Sequence, residues 1–348
     1  MPHHSFTLWR VLFVLTLLPQ STPAAAPSNL NLIGAPTVWA RGFTGQGIVV
    51  ALLDSGVDLT HPELAARWRG GTNSWFDPYQ EHSQPVDVTG HGTQMLGVIL
   101  GGAASGMPIG VAPDAQWIAA RIFDDRGQAT TAAIHAALQW VLDPDGNPAT
   151  ADAPHVLNAS WSGEDLRCNS EFAADLQALR QAGILPVFAA GTQPLSPATL
   201  PAAFPVGAIE DAQTLYFDSA RGPSPCATAE DFFPRLVAPG VNIRTTDKFG
   251  LYTEVEGTSV AAAHVAGALA LLLSARPGLS AVEQAEILQA SAVDLGELGP
   301  DQTFGYGRLN VARAVDRALG PAISGEILTV IILLSLLVIL SWLRRAGE

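Results

Sequence analysis

Positive charge is scarce in this chain. Of 348 residues, 18 are lysine or arginine against 32 aspartate or glutamate, and Lys248 is the only lysine. A formal charge of -14 leaves no basic face to grip phosphates, so nucleic-acid partners are excluded. Cysteine is almost absent too: there are two, Cys168 and Cys226, and no Cys or His cluster has zinc-ligand spacing, so no metal site is assigned. An even pair suggests a disulfide if the chain is exported, with two unpaired thiols as the alternative, because sequence does not fix their separation in space.

The two ends carry addressing signals. Residues 1–26 place His3, His4 and Arg10 before the apolar run Val11 to Leu18 and the small-residue stretch Ser21 to Ala26, the layout of a signal peptide. An eight-residue run would rise only about 12 Å as a helix, too short to cross a hydrocarbon core of roughly 30 Å. Ile327 to Leu343 has no charge, and residues 323–343 read as a transmembrane helix that binds the lipid bilayer. Arg344 and Arg345 put the tail, 344–348, in the cytoplasm and the main domain outside the cell membrane. A buried core helix and a cleaved sorting signal are the alternatives for this segment.

Between the ends, short apolar runs alternate with helical patterns, which implies an α/β domain with a mostly parallel sheet covered on both faces. Candidate strands are Ile48 to Leu53, Trp117 to Phe123, His155 to Ala159, Ile184 to Ala189, Val206 to Ile209 and Leu236 to Ala238. Candidate helices are Thr131 to Leu142, Glu171 to Ala182, Val260 to Ala275, Ala281 to Ser291 and Val311 to Leu319. One domain, 29–319, accommodates them all.

Three residues stand where chemistry could be done. Asp54 ends the buried run Ile48 to Leu53, at the carboxyl edge of a strand, where open α/β sheets place their sites; a turn or capping role fits it equally. His91 lies between Gly90 and Gly92 ahead of the apolar stretch Met95 to Leu100, or is simply a structural group at a helix start. Ser259 precedes a long helix of small residues. A serine there is commonly a cap, yet the same geometry makes its N–H a donor to a developing oxyanion. Their chain order, Asp, His, Ser, is that of subtilisin among the convergent triads.

Around these residues, Ala51 to Asp58, Gly90-His91-Gly92-Thr93 and Gly257 to Gly267 resemble the three signature blocks of subtilisin-like serine proteases (peptidase S8 family). Gly110 to Pro113, Leu157 to Trp161, Ala238 to Val241 and Gly305 to Asn310 resemble further blocks in the same order, and Trp117 to Ala120 with Asn158 to Trp161 look like the bacillopeptidase F branch. The resemblance implies a three-layer subtilisin-like fold and a serine endopeptidase, with Ser259 as nucleophile, His91 as general base and Asp54 as its orienting partner. It also implies a polypeptide substrate bound as an extended strand along Ser160, Trp161, Ser162 and Gly163, with Ala190 and Gly191 walling the first specificity pocket. Both segments are uncharged, so an uncharged residue before the cleaved bond is expected. No cofactor is required; structural calcium is common in the family, but no acidic loop here has an assignable spacing.

The chain also departs from the family pattern. Thr192 stands where the oxyanion asparagine is usual, and Ser162 where glycine is usual on the substrate-binding strand, so its Cβ is expected to crowd an approaching peptide backbone or to narrow the pocket. Asn29 already resembles the start of the catalytic domain, so no folded prosegment is expected. These departures motivate a second reading, a weakly active or inactive peptide-binding module. A lipase or esterase would need Gly-x-Ser-x-Gly, which Gly257-Thr258-Ser259 does not supply.

Overall fold

Six consecutive buried residues, Val49–Asp54, form β1, and their alternation divides the core in two. Val50 and Leu52 point to one side of the sheet, Val49, Ala51 and Leu53 to the other, and each set joins a separate apolar cluster. In the computed structural model, which describes residues 26–226 and 232–320, β1 is central. The sheet is completed by β2 (Trp75–Phe76), β3 (Gln116–Arg121), β4 (Val156–Ala159), β5 (Leu185–Ala189), β6 (Phe204–Ile209) and β7 (Leu236–Pro239). Their order is β2-β3-β1-β4-β5-β6-β7, and every neighbouring pair is parallel. The expected α/β three-layer architecture is therefore present.

The short helices α1 (Ser28–Ile33) and α2 (Ala35–Trp39) open the domain. Helices α3 (His91–Leu100) and α6 (Thr258–Ala275) cover one face of the sheet, and α4 (Thr131–Leu142) and α5 (Ala173–Gln181) the other. The last helices among the described residues are α7 (Ala281–Ser291) and α8 (Val311–Leu319); α8 packs against α6, and α7 against α8. Every strand and helix read from the sequence is present within about two residues at each end. Not foreseen were α1, α2, β2, α3 as a helix, and the antiparallel hairpin of β8 (Ile243–Asp247) and β9 (Leu251–Val255). The hairpin lies on α3 because Gly97 has no Cβ, and one built there would stand 2.2 Å from Thr246 Oγ1. Thr245 and Thr246 donate their hydroxyls to the carbonyls of Gln94 and Thr93.

Cys168 and Cys226 are joined by a disulfide. The candidate span 323–343, the tail 344–348 and all but Ala26 of the candidate signal peptide lie outside the described residues. Among the described residues, α6 alone is long and apolar enough to cross a membrane, and it is a core helix, 83% buried within the domain.

α6 also anchors the start of the domain. His264, fully buried in it, donates from Nδ1 to the Val260 carbonyl at 2.9 Å, so Nε2 accepts from the Asn29 side-chain amide at 2.9 Å. Burial lowers the imidazole pKa from 6.5 to about 4, outweighing the opposing hydrogen bond to Val260. The unfolded chain therefore binds the proton first, and stability present above pH 6.5 is lost progressively as pH falls toward 4. This group contributes on the order of 3 kcal/mol to the loss. Urea unfolding measured between about pH 7 and 4 is expected to show that component in the wild type and its absence in His264→Gln.

Candidate active site

The strand order turns back at β1: β3 lies on one side of it and β4, next in the chain, on the other. Such a reversal opens a crevice at the carboxyl ends of the strands. Asp54 is the last residue of β1, Ser160 follows β4, and Ala190 and Gly191 follow β5. The crevice is thus lined by residues already singled out in the sequence.

Asp54 is 1% exposed, and its Oδ1 accepts from His91 Nδ1 at 2.8 Å and from the Ser55 N–H at 2.7 Å. A carboxylate only accepts, so the histidine proton sits on Nδ1 and Nε2 keeps a free lone pair. Burial would lower the His91 pKa, but the charge of Asp54, the hydrogen bond between them and the charge of Asp87 together raise it above 6.5. His91 is the first residue of α3, and the fit is close: a Cβ on Gly92 would stand 2.1 Å from the Gly56 carbonyl oxygen.

Ser259 is the second residue of α6, so its N–H precedes the first intrahelical bond and is left for a ligand at the positive end of the helix dipole. Its hydroxyl donates to the Ser160 carbonyl at 2.8 Å, while the Ser160 hydroxyl donates to the Ser259 carbonyl at 2.8 Å. Asn158 donates to Ser160 Oγ at 2.9 Å and so fixes the second serine. The Gly191 N–H donates to Thr258 Oγ1 at 3.0 Å, which ties the end of β5 to the start of α6. Thr192 comes next. Its side chain is exposed and has no hydrogen-bond partner among the described residues. A cavity of 300 Å³ opens beside His91 and is lined by Asp54, Ser160, Trp161 and Phe123.

The sequence model of the subtilase family matches residues 45–307, well over half of the chain. The chain belongs to the subtilase family. It is 35% identical over 316 residues to bacillopeptidase F of Bacillus subtilis (strain 168), an alignment covering 82% of this chain and 22% of that protein. It is 31% identical to the subtilisin of Bacillus pumilus over 83% of this chain and 98% of that protein. The subtilisin-like protease PopC of Myxococcus xanthus (strain DK1622) is 29% identical over 78% of this chain and 60% of that protein. The chain therefore spans about a fifth of bacillopeptidase F and nearly all of the pumilus subtilisin. Its class is that of the subtilases, serine endopeptidases.

In this subtilase, sequence reasoning missed Asp87. It is 7% exposed, and its carboxylate accepts from Ser55 Oγ, the Gly90 N–H, the Thr93 N–H and Thr93 Oγ1, at 2.6 to 2.9 Å. It thereby performs the capping of α3, whose N-cap residue Gly90 has no side chain. No local signal marked it, because α3 was not read as a helix and Asp87 stands in a turn-rich stretch. Ser160 was placed on the substrate strand, and the structure shows its side chain bracing Ser259.

Among the described residues, two acidic groups could hold a cation. Glu81, His82 and Asp125 form one, where Arg121 already bonds Glu81 and Asp125; Asp143, Asp145 and Asp152 form the other. Neither group lines the cavity beside His91.

A base with a raised pKa is protonated until the pH exceeds it. The acid limb of kcat/KM is therefore expected above pH 6.5. Asp87→Asn removes a negative charge from the surroundings of His91, so its limb should move to lower pH. A pH–rate profile of the two proteins checks this; a purely structural Asp87 would leave the midpoint in place.

Proposed function

We propose that the protein is a membrane-tethered, extracytoplasmic serine endopeptidase that cleaves peptide bonds through Asp54, His91 and Ser259. The observation that carries the reading is the Asp54–His91 hydrogen bond, set at the sheet's crevice beside the N-terminus of α6. Ser259 Oγ attacks the carbonyl carbon of an extended peptide and passes its proton to His91 Nε2. Asp54 holds the ring and stabilises the imidazolium that forms. The oxyanion is met by the Ser259 N–H and by the Thr192 hydroxyl, the side chain that replaces a carboxamide there. On collapse, His91 returns the proton to the leaving amine, giving an acyl-enzyme. Water then repeats the sequence and frees Ser259.

A second reading, a peptide-binding relative with weak or no activity, draws on two observations. Ser259 donates to Ser160 and not to His91, and Thr192 is unsupported by any neighbour among the described residues. The complete Asp, His and Ser set favours the enzyme.

The tether rests on the sequence of 323–343. α6 rises about 24 Å from Ser259 to its far end. There, Arg276 donates to the Ala318 carbonyl in α8, the last described helix.

A fluorophosphonate probe is expected to label the wild-type protein, and Ser259→Ala to abolish labelling; a folded wild type that resists the probe would favour the binding module. Thr192→Asn should raise kcat by about tenfold at little change in KM, because a carboxamide is the better-placed donor in the transition state. Removing residues 321–348 is expected to move the protein from the membrane pellet to the soluble fraction after cell breakage.

A further inference from the structure

Ser162 lies two residues beyond Ser160 on the segment that leaves β4. Side chains alternate along an extended segment. Trp161 turns to one side, where its ring meets Phe188 edge-on at 5.4 Å and lines cavities of 300 and 650 Å³. Ser162 also borders the larger cavity, but its Cβ and Oγ approach Gly191. A Cβ placed on Gly191 would stand 3.2 Å from Ser162 Oγ and 3.3 Å from Ser162 Cβ. The gap between the segments leaving β4 and β5 is thus closed to about one atom's width by the serine side chain.

That gap lies against the nucleophile. Gly191 bonds Thr258, the residue before Ser259, and Ser160 exchanges two hydrogen bonds with Ser259 itself. A peptide laid along Ser160 to Gly163 with its reacting carbonyl at Ser259 Oγ must therefore direct the side chain just before the cleaved bond into the gap. Neither Ala190 nor Gly191 lines either cavity: the 300 Å³ one is bordered by Ser160 and Trp161, and the 650 Å³ one by Trp161, Ser162 and Gly163. Bulky side chains have room in those cavities and not in the gap between Ser162 and Gly191.

We infer that Ser162 is a specificity-determining residue that restricts the position before the cleaved bond to alanine, glycine or serine. The inference rests on the proposed triad and adds to it a substrate class: segments with a small residue at the cut. A glycine at 162 would leave the gap open to leucine or phenylalanine, and the serine excludes them sterically.

The test is a set of internally quenched peptides identical except for alanine, leucine or phenylalanine before a single cleavable bond, with fluorophosphonate labelling in parallel. The wild type should prefer alanine over phenylalanine by about a hundredfold or more in kcat/KM, within the range that steric exclusion from a pocket supplies. Ser162→Gly should shift the ratio toward phenylalanine by about tenfold or more, and Ser162→Val should abolish alanine cleavage while labelling persists. A wild type that labels but cleaves phenylalanine as readily as alanine overturns the inference and leaves the hydrolase intact. An unchanged ratio in Ser162→Gly does the same. Absence of labelling in the folded wild type overturns the triad, and the inference with it.

Discussion

A carboxylate removed from water at the end of a sheet must find donors or lose its charge, and that requirement at Asp54 organises the surrounding structure. One oxygen takes the His91 and Ser55 hydrogens, and the other is buried with no partner among the described residues. A second buried carboxylate, Asp87, lies one serine away and takes four donors, which include the N-terminus of α3. Ser55 links the two, giving its proton to Asp87 and accepting the Gly92 N–H at 3.0 Å. The position of His91 is thus fixed from both directions, through its own ring and through the helix that starts with it. Two nearby negative charges also favour the protonated ring, so that in the proposed mechanism an imidazolium at His91 would meet charges already in place.

The parts of this arrangement that depend on local sequence were legible. Short continuous apolar runs revealed the sheet, and Asp54 and Ser259 stood at the ends of elements that could be placed by pattern alone. Other parts depend on contacts made after folding. Asp87 precedes α3 in a turn-rich stretch, and nothing in Asp87-Val88-Thr89-Gly90 distinguishes a cap that serves Ser55, 32 residues upstream, from an ordinary loop carboxylate. β8 reads Ile-Arg-Thr-Thr-Asp, a polar sequence that becomes a buried strand because Thr245 and Thr246 satisfy carbonyls of α3 across Gly97. α3 itself was obscured by glycines at its second and seventh positions, which lower helix propensity but permit the close packing that both neighbours require.

The resting position of the nucleophile has an energetic meaning. Ser259 Oγ is bonded to the Ser160 carbonyl, and moving it to His91 exchanges one neutral hydrogen bond for another whose acceptor, Nε2, carries a free lone pair. Such an exchange is close to balanced, since each bond contributes about 1 kcal/mol net. Parking the hydroxyl therefore costs turnover little, and it keeps Ser160 braced by two bonds to α6 when no peptide is present. In the proposed mechanism, a peptide that pairs with the Ser160 segment would compete for the same carbonyl and displace the hydroxyl toward His91. Substrate docking and activation of Ser259 would then be one event, coupled by the two-bond link between Ser160 and Ser259.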